Sequence, residues 1–395
     1  MKSRINCLSD CYGCGVCAAA CPQKIISIRQ NSKGFYEPFI NDLKECTNCG
    51  LCLSVCSYAH EELAADYKPI SSYAAWSNDE ATRKKCSSGG VGLELAKACI
   101  KLGYKVIGAK YEFLGERVIH YVAESEAAVL DTIGSKYIQS YTVDAFSSIN
   151  RKAKYLVTGT PCQIDSFCRY IKKMRCEDNF ILMDFFCHGV PSMNLWKKYC
   201  REIEKITGEI TEVSWRNKTY GWHDSWDMNI HGKKREELID WHDGYNLLIR
   251  ERKTFISSRW SQGDLFFKMF LSNSCLGKAC YERCKFKGCG SSADIRIGDF
   301  WGNTYKDDDK GVSSVVAFTD RGMSILKETN CHLVKHPYEV VSEGQLSAHI
   351  KEPHTRKLVC WLLTTKLPLK WIFIFVQVTR LPFLIKCKIQ KIRKR

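Results

Sequence analysis

Beyond residue 352 the sequence has no Asp or Glu at all, while eleven lysines and arginines follow, so most of the formal net charge of +16 sits in the tail. The rest of the chain is only mildly basic, which argues against a uniformly cationic, nucleic-acid-coating surface. Prolines number nine in 395 residues, and no stretch is low-complexity or disorder-prone in composition. The opening residues, "MKSRINCLSD", lack the apolar core of a signal peptide. A disulfide-stapled, exported protein is therefore not expected; a cytoplasmic one is. The tail lacks a long apolar run as well: its longest charge-free stretch, Trp371 to Thr379, is far short of the roughly 20 residues of a membrane span.

What the chain does have is cysteine. Of 23, nine lie in the first 60 residues. "CYGCGVCAAACP" (residues 11–22) and "CTNCGLCLSVCS" (residues 46–57) repeat one spacing, C-x2-C-x2-C-x3-C. Three sulfurs at every third position on a turning backbone are presented to one face of a cubane, and the fourth reaches outward. In two-cluster ferredoxins that fourth cysteine serves the other cluster. One [4Fe–4S] cluster is thus expected on Cys11, Cys14, Cys17 and Cys56, and a second on Cys46, Cys49, Cys52 and Cys21. The competing reading is a pair of zinc knuckles, since C-x2-C also suits zinc; eight cysteines in two matched runs favour iron. Gly15 and Gly50 follow the second cysteine of each run, where the backbone passes close to the cluster. "IISIRQNSKGFYEPFI" alternates and turns at residues 31–34, as a short hairpin does. Cys7 fits neither set.

The remaining residues must supply a substrate site or dock a partner. "CSSGGVGLELAKACIKLGYKVIGAKY" reads as a Ser/Gly loop, a helix with apolar spacing at Val91, Leu93, Leu95, Ala96 and Ile100, and a strand. Such a loop is a seat for a phosphate or simply a helix cap. "KYLVTGTPCQIDSFCRYIKK" reads as strand, turn and amphipathic helix, and "NFILMDFFCHGVPS" as strand and turn. Cys162 and Cys187 then fall just past the carboxyl ends of two strands, the edge where open α/β sheets bind ligands. A helix start beside Cys162 favours its thiolate, whereas a free cysteine is more often a small buried hydrophobe. His188 reads as a structural histidine. Cys275, Cys280, Cys284 and Cys289 form a further group of unfamiliar spacing, ahead of the strand "ADIRIGDFW".

Taken in order, "SSGGV", "GSKYIQS", "TGTPCQI", "DFFCHGVPS", "WRNKTYGW" and "DIRIGDFWG" resemble the coenzyme F-420 hydrogenase/dehydrogenase beta-subunit family, in its bacterial form with an N-terminal dicluster ferredoxin domain. The likeness covers roughly residues 1–305. It implies an α+β ferredoxin-like dicluster module followed by an α/β flavin-binding body with a mixed sheet. The divisions expected are 1–62 for the dicluster module, 70–150 and 151–335 for the body's N- and C-terminal regions, and 356–395 for a basic amphipathic tail. It also implies FAD, with Ser88, Gly89, Gly90, Ser135, Lys136, Tyr137, Gln139 and Thr160 as candidate contacts, and Gly298 and Asp299 as weaker ones. A third [4Fe–4S] cluster is implied in the body. Its candidate ligands are Cys162, Cys187, Cys280 and Cys284, with the local group Cys275, Cys280, Cys284 and Cys289 as rival. Three residues separate Cys280 from Cys284, where relatives commonly have two.

Clusters pass single electrons and hydride acceptors take two, so a flavin belongs between them. The expected activity is an iron–sulfur flavoprotein oxidoreductase joining the clusters to a hydride acceptor, coenzyme F-420 or a polysaccharide-pathway substrate. Lys136, Arg216 and Lys218 are candidates for a cationic site near its phosphates. The alternative is a non-catalytic ferredoxin-type electron-transfer subunit serving a partner enzyme. Partners expected are a ferredoxin or a dehydrogenase/hydrogenase subunit, and a small-molecule acceptor, but no nucleic acid. The tail either lies on the inner membrane surface or packs on the body with a solvated basic end.

Overall fold

A computed structural model describes residues 5, 8–216, 218, 221–223, 228–233, 235–240 and 265–379. Cys7 and the tail from residue 380 onward lie outside the described residues.

The amino-terminal module is built from two short helices, α1 (Val16–Ala19) and α2 (Leu51–Ser54), around one hairpin. The hairpin joins β1 (Ile26–Gln30) to β2 (Tyr36–Ile40), antiparallel, with Ile26 opposite Ile40 and Gln30 opposite Tyr36. Asn31 and Gly34 close the turn by a Gly34 N–H to Asn31 O bond of 2.9 Å. The apolar side of this hairpin, with Ile26, Ile28, Tyr36 and Ile40, packs on Cys17 and Cys56.

The body is a nine-stranded mixed sheet. Its first six strands are β3 (Ser71–Ser77), β4 (Lys105–Glu112), β5 (Arg117–Ala123), β6 (Ser140–Tyr141), β7 (Tyr155–Thr158) and β8 (Phe180–Phe185). A separate antiparallel sheet of β9 (Ile210–Ser214), β10 (Asn229–Gly232) and β11 (Arg235–Asp240) intervenes in the chain. The large sheet is completed by β12 (Ile295–Asp299), β13 (Ser313–Ala317) and β14 (Cys331–Lys335), in the order β14-β3-β13-β12-β8-β7-β4-β5-β6. Its centre, β12-β8-β7-β4, is parallel, and antiparallel partners flank it.

Central strands of such a sheet are covered on both faces, so their sequences read as continuous apolar runs, as "FILMDF" does. Alternation assigns the faces. Tyr155, Val157, Phe180 and Leu182 pack with Ile164, Phe167 and Ile171 of a helix, Pro161–Lys173, on one side. Leu156, Ile181 and Met183 pack on the other with Leu93, Leu95 and Ala96 of the helix Val91–Lys101. The dicluster module shares the first face: Cys14, Val16 and Val55 belong to the same apolar cluster as Phe167 and Val157. Between β8 and β12, Asp184 accepts two 2.8 Å bonds from Arg296, a pair buried with 2% of either side chain exposed.

The C-terminal segment folds back on the body. The helix Arg356–Leu362 and the helical residues 369–379 bury Val359, Cys360, Leu363, Leu369, Ile372 and Val376 in the cluster that holds Trp196 and Phe266. Of the two expectations for residues 356–379, packing on the body is what their inner face does. Arg356, one of the eleven cations of the tail, is buried: it donates to the Leu276 carbonyl at 2.7 Å and pairs with Glu352. Among the described residues no helix is long and apolar enough to cross a membrane.

Candidate metal centres

Two cavities in the amino-terminal module are ringed by cysteine. One is lined by Cys11, Cys14, Cys17 and Cys56, with Tyr12, Ile28, Pro38 and Tyr58. The other is lined by Cys21, Cys46, Cys49 and Cys52, with Pro22, Ile25, Ile26 and Ile40. Each ring takes three sulfurs from one run and the fourth from the other, the crossed pattern expected from the spacing.

Left-handed backbone makes the turns. Gly15 (φ 79°) and Gly50 (φ 77°) start the short helices that carry Cys17 and Cys52. Before the second cysteine of each run stands another such residue, Gly13 (φ 63°) or Asn48 (φ 54°). A stretched chain thereby curls three cysteines around a common centre.

The rings differ in exposure. Cys14, Cys17 and Cys56 are buried, whereas Cys49 is exposed. Burial, reinforced by neighbouring thiols, pushes the Cys11 and Cys17 thiols up, and Cys56 up to about 11. Such sulfurs carry charge readily only when a cation faces them. No three His, Cys, Asp or Glu among the described residues are gathered closely enough to hold a single metal ion. No disulfide joins the described cysteines either.

A third gathering lies in the body. Strands β7 and β8 are parallel neighbours, so Cys162 and Cys187 emerge side by side at their carboxyl ends. Cys162 is raised by burial and then by Cys187, Cys14 and Cys280; Cys187 is raised by burial and by Cys284. Cys280 is pushed up to about 12 by burial, with Cys187 and Cys284 adding to it. The helix start beside Cys162 was expected to favour the thiolate; burial outweighs it. Gly189 has no side chain where a Cβ would meet the Cys280 Cβ at 3.2 Å. Lys287 donates to the carbonyls of Cys187 and His188, fixing that loop. The rival group is split: Cys275 is buried in the large core beside Cys360, and Cys289 is exposed near Tyr338. His188 hydrogen-bonds Asn273 at 2.5 Å and packs on Phe270, a structural role.

The flavin candidates fall into two groups. Ser135 N–H donates to Ser87 Oγ at 2.8 Å, and Lys218 Nζ reaches the Ser88 carbonyl at 2.5 Å, so "SSGG", "SKY" and Lys218 meet. Tyr137 packs on Phe267 and Phe270, with Arg216 and Asp299 beside it. Lys136 Nζ donates to the carbonyls of Thr132 and Ile133 at 2.9 and 2.8 Å, yet burial pulls it down to about 7. Lys218 is pulled down to about 8, also by burial. Several local donors are already engaged: Ser88 Oγ bonds Val312 O, and Gly89 N–H bonds Ser313 Oγ. Gly90 starts its helix without a side-chain cap. Gln139 and Thr160 sit elsewhere. Gln139 accepts from Tyr36 N–H and donates to Tyr12 O, both at 3.0 Å, clamping the dicluster module. Thr160 caps the helix Pro161–Lys173 with Gln163 in a reciprocal box, its Oγ1 3.1 Å from Cys162 Sγ.

Three residues that sequence reasoning passed over knit the rings together. Ser166 lies four residues after Cys162, hence on the same helix face. It meets Cys14 Sγ at 3.3 Å and accepts from Ser57 N–H at 3.0 Å. Thr142 donates to Cys14 O at 2.7 Å. Tyr12 lies between the first ring and the body cysteines: burial and the thiols of Cys162, Cys284 and Cys280 push its hydroxyl up, and it donates to Arg283 O. The i, i+4 spacing of Cys162 and Ser166 was the available signal for the first.

Residues 152–336 match the family model for the carboxy terminus of the coenzyme F420 hydrogenase/dehydrogenase beta subunit, and residues 10–59 match that of the 4Fe-4S dicluster domain. Residues 152–336 thus carry the carboxy-terminal domain of that beta-subunit family, and an iron–sulfur dicluster domain stands ahead of it. The dicluster domain makes the chain an iron–sulfur protein of ferredoxin type. A chain of the F420-reducing [NiFe] hydrogenase complex from Methanosarcina barkeri is similar over 81% of this chain and 94% of its own, at 16% identity and a TM-score of 0.44. No curated protein matches.

Proposed function

We propose that the chain is an oxidoreductase linking iron–sulfur clusters to a two-electron hydride acceptor through FAD. The observation that carries it is the crossing of the two cysteine runs into two rings, each adjoining the next sulfur group inward. Cys21, Cys46, Cys49 and Cys52 would hold the outer [4Fe–4S] cluster and Cys11, Cys14, Cys17 and Cys56 the inner one. Cys162, Cys187, Cys280 and Cys284 would hold a third. The donors fit: free thiols gathered in fours, from exposed Cys49 to buried Cys14, with no group among the described residues drawn close enough for a single ion. Such clusters supply one-electron transfer.

FAD supplies the exchange between one and two electrons when bound. Ser88, Gly89, Gly90, Ser135, Lys136 and Tyr137 would face it, with Gln139 and Thr160 acting through the module clamp and the Cys162 helix. Lys136 and Lys218 support this: burial weakens the hold of both ammonium groups on their protons, and a pyrophosphate beside them would strengthen it. Arg216, held against Trp222 O and over Trp301, would orient an acidic acceptor such as coenzyme F-420 or a polysaccharide-pathway substrate.

The division proposed is 1–62, 70–150, 151–335 and 356–395, acting in the cytoplasm with a ferredoxin or dehydrogenase subunit as redox partner and the tail on the inner membrane surface. A second reading, an electron-transfer subunit without its own flavin, is favoured by the engaged Ser88 and Gly89 donors. Anaerobic purification tests both. Iron, sulfide and flavin together, with the flavin bleached by a hydride donor, support the first; iron and sulfide with no flavin support the second.

A further inference from the structure

Residues 356–379 are apolar on two faces, and the body covers only one. Val359, Cys360, Leu363, Leu369, Ile372 and Val376 face the body and are at most 4% exposed. On the first helix Leu358 and Trp361, three apart, point outward, 43% and 60% exposed. On the second, Trp371, Ile374 and Val378 repeat at helical spacing and are 56%, 38% and 56% exposed. Residues three and four apart share a helix face, so each helix carries a second apolar stripe that the described residues leave uncovered. Helices apolar all round are normally buried.

Charge selects the cover. Lys357, Lys366 and Lys370 are exposed around these stripes, and no acidic residue occurs from residue 353 to the end. The sequence past residue 379 adds seven further lysines and arginines. A second copy of this chain docking by the same face would set like charges against each other. Protein interfaces are also depleted in lysine. Tryptophans beside lysines are the pair that settles at a lipid–water boundary, the ring at headgroup depth and the ammonium at the anionic surface.

We propose that the outer face formed by Leu358, Trp361, Trp371, Ile374 and Val378, ringed by Lys357, Lys366 and Lys370, docks on an anionic lipid bilayer and holds the body at its surface. This rests on the reading that the C-terminal segment meets a membrane and names the face and the lipid class. Both helices lie along the surface, since neither is long enough to cross.

The test is co-sedimentation of the full, anaerobically purified chain with vesicles of phosphatidylcholine alone or mixed with phosphatidylglycerol. Binding is expected on the mixed vesicles, at least about tenfold weaker on the neutral ones, and weaker as salt rises. The Trp361→Ser/Trp371→Ser double variant should lose binding by about tenfold, with unchanged iron and sulfide as evidence of an intact fold. Equal binding by wild type and double variant overturns the proposal. If truncation after Thr379 then abolishes binding, the membrane reading survives with charge alone as its cause; protein left in solution over mixed vesicles ends both. A wild-type dimer that the double variant loses would assign the face to a second copy and also overturn the proposal.

Discussion

Gly13 and Gly50 occupy comparable left-handed turns, at φ 63° and 77°, but in opposite surroundings. A Cβ at Gly13 would come within 2.4 Å of both Gln139 Nε2 and Tyr36 O, whereas at Gly50 nothing lies within 4 Å. Gly13→Ala should therefore cost strain and a clash, more than the roughly 1–3 kcal/mol of backbone strain expected for Gly50→Ala; denaturant unfolding of the two variants measures the gap. Gln139→Ala should cost about 1–3 kcal/mol by leaving a buried carbonyl and a buried N–H unpaired. The resemblance offered Gln139 as a flavin contact, and its clamp was not legible. Its partners, Tyr12 and Tyr36, lie about a hundred residues away, and no local spacing encodes that. Lys136 has a pH signature. Its folded pKa, about 7, lies below the ordinary 10.5, so the penalty for burying the charge is full below pH 7. Between about 7 and 10.5 the unfolded chain holds the proton that the folded chain lacks, and stability rises with pH. Unfolding midpoints from pH 7 to 9 should climb in protein stripped of flavin, and added FAD should flatten the slope; a flat profile without FAD would refute the assignment.

The helix Pro161–Lys173 joins the two halves of the site, because one of its faces carries both Cys162 and Ser166. Hydrogen bonds to cluster sulfurs help set reduction potentials. With a cluster bound, the Ser166 hydroxyl is the donor to Cys14, and Ser166→Ala should shift one midpoint to a more negative value in a redox titration while leaving the iron content intact. The strand pair β8–β12 has its own test. Asp184→Ala leaves Arg296 charged and buried, which should cost about 3–5 kcal/mol in chemical unfolding. The elements themselves were legible: the hairpin between the cysteine runs, the helix after "SSGG" and the strand–turn–helix around Cys162 all stand where apolar period and turn residues put them. The tail was legible only in part. Its charges can be counted in the sequence, but that Ile372 and Val376 meet the body while Trp371 and Val378 face water depends on a tertiary surface that the tail's own period does not encode.

At the scale of the molecule the sulfur groups run inward from the ring that holds exposed Cys49, through the ring that holds buried Cys14, Cys17 and Cys56, to body cysteines at the carboxyl ends of parallel strands in the mixed sheet. The order follows from burial and contact: Cys49 is exposed, Cys14 is buried, and Cys14 is among the charges acting on Cys162. Electrons entering from a partner would meet the outer ring first. The ring's exposure also means that oxygen or chelator should remove its iron ahead of the rest. The crossing itself is tested most directly by the iron and sulfide content and low-temperature spin-resonance spectrum of Cys21→Ser protein, purified without oxygen. The prediction is a loss of about four irons per chain, confined to the rapidly bleached component, with the slow component untouched although Cys21 belongs to the first run. Loss of the slow component instead, or zinc in place of iron in the parent protein, would contradict it.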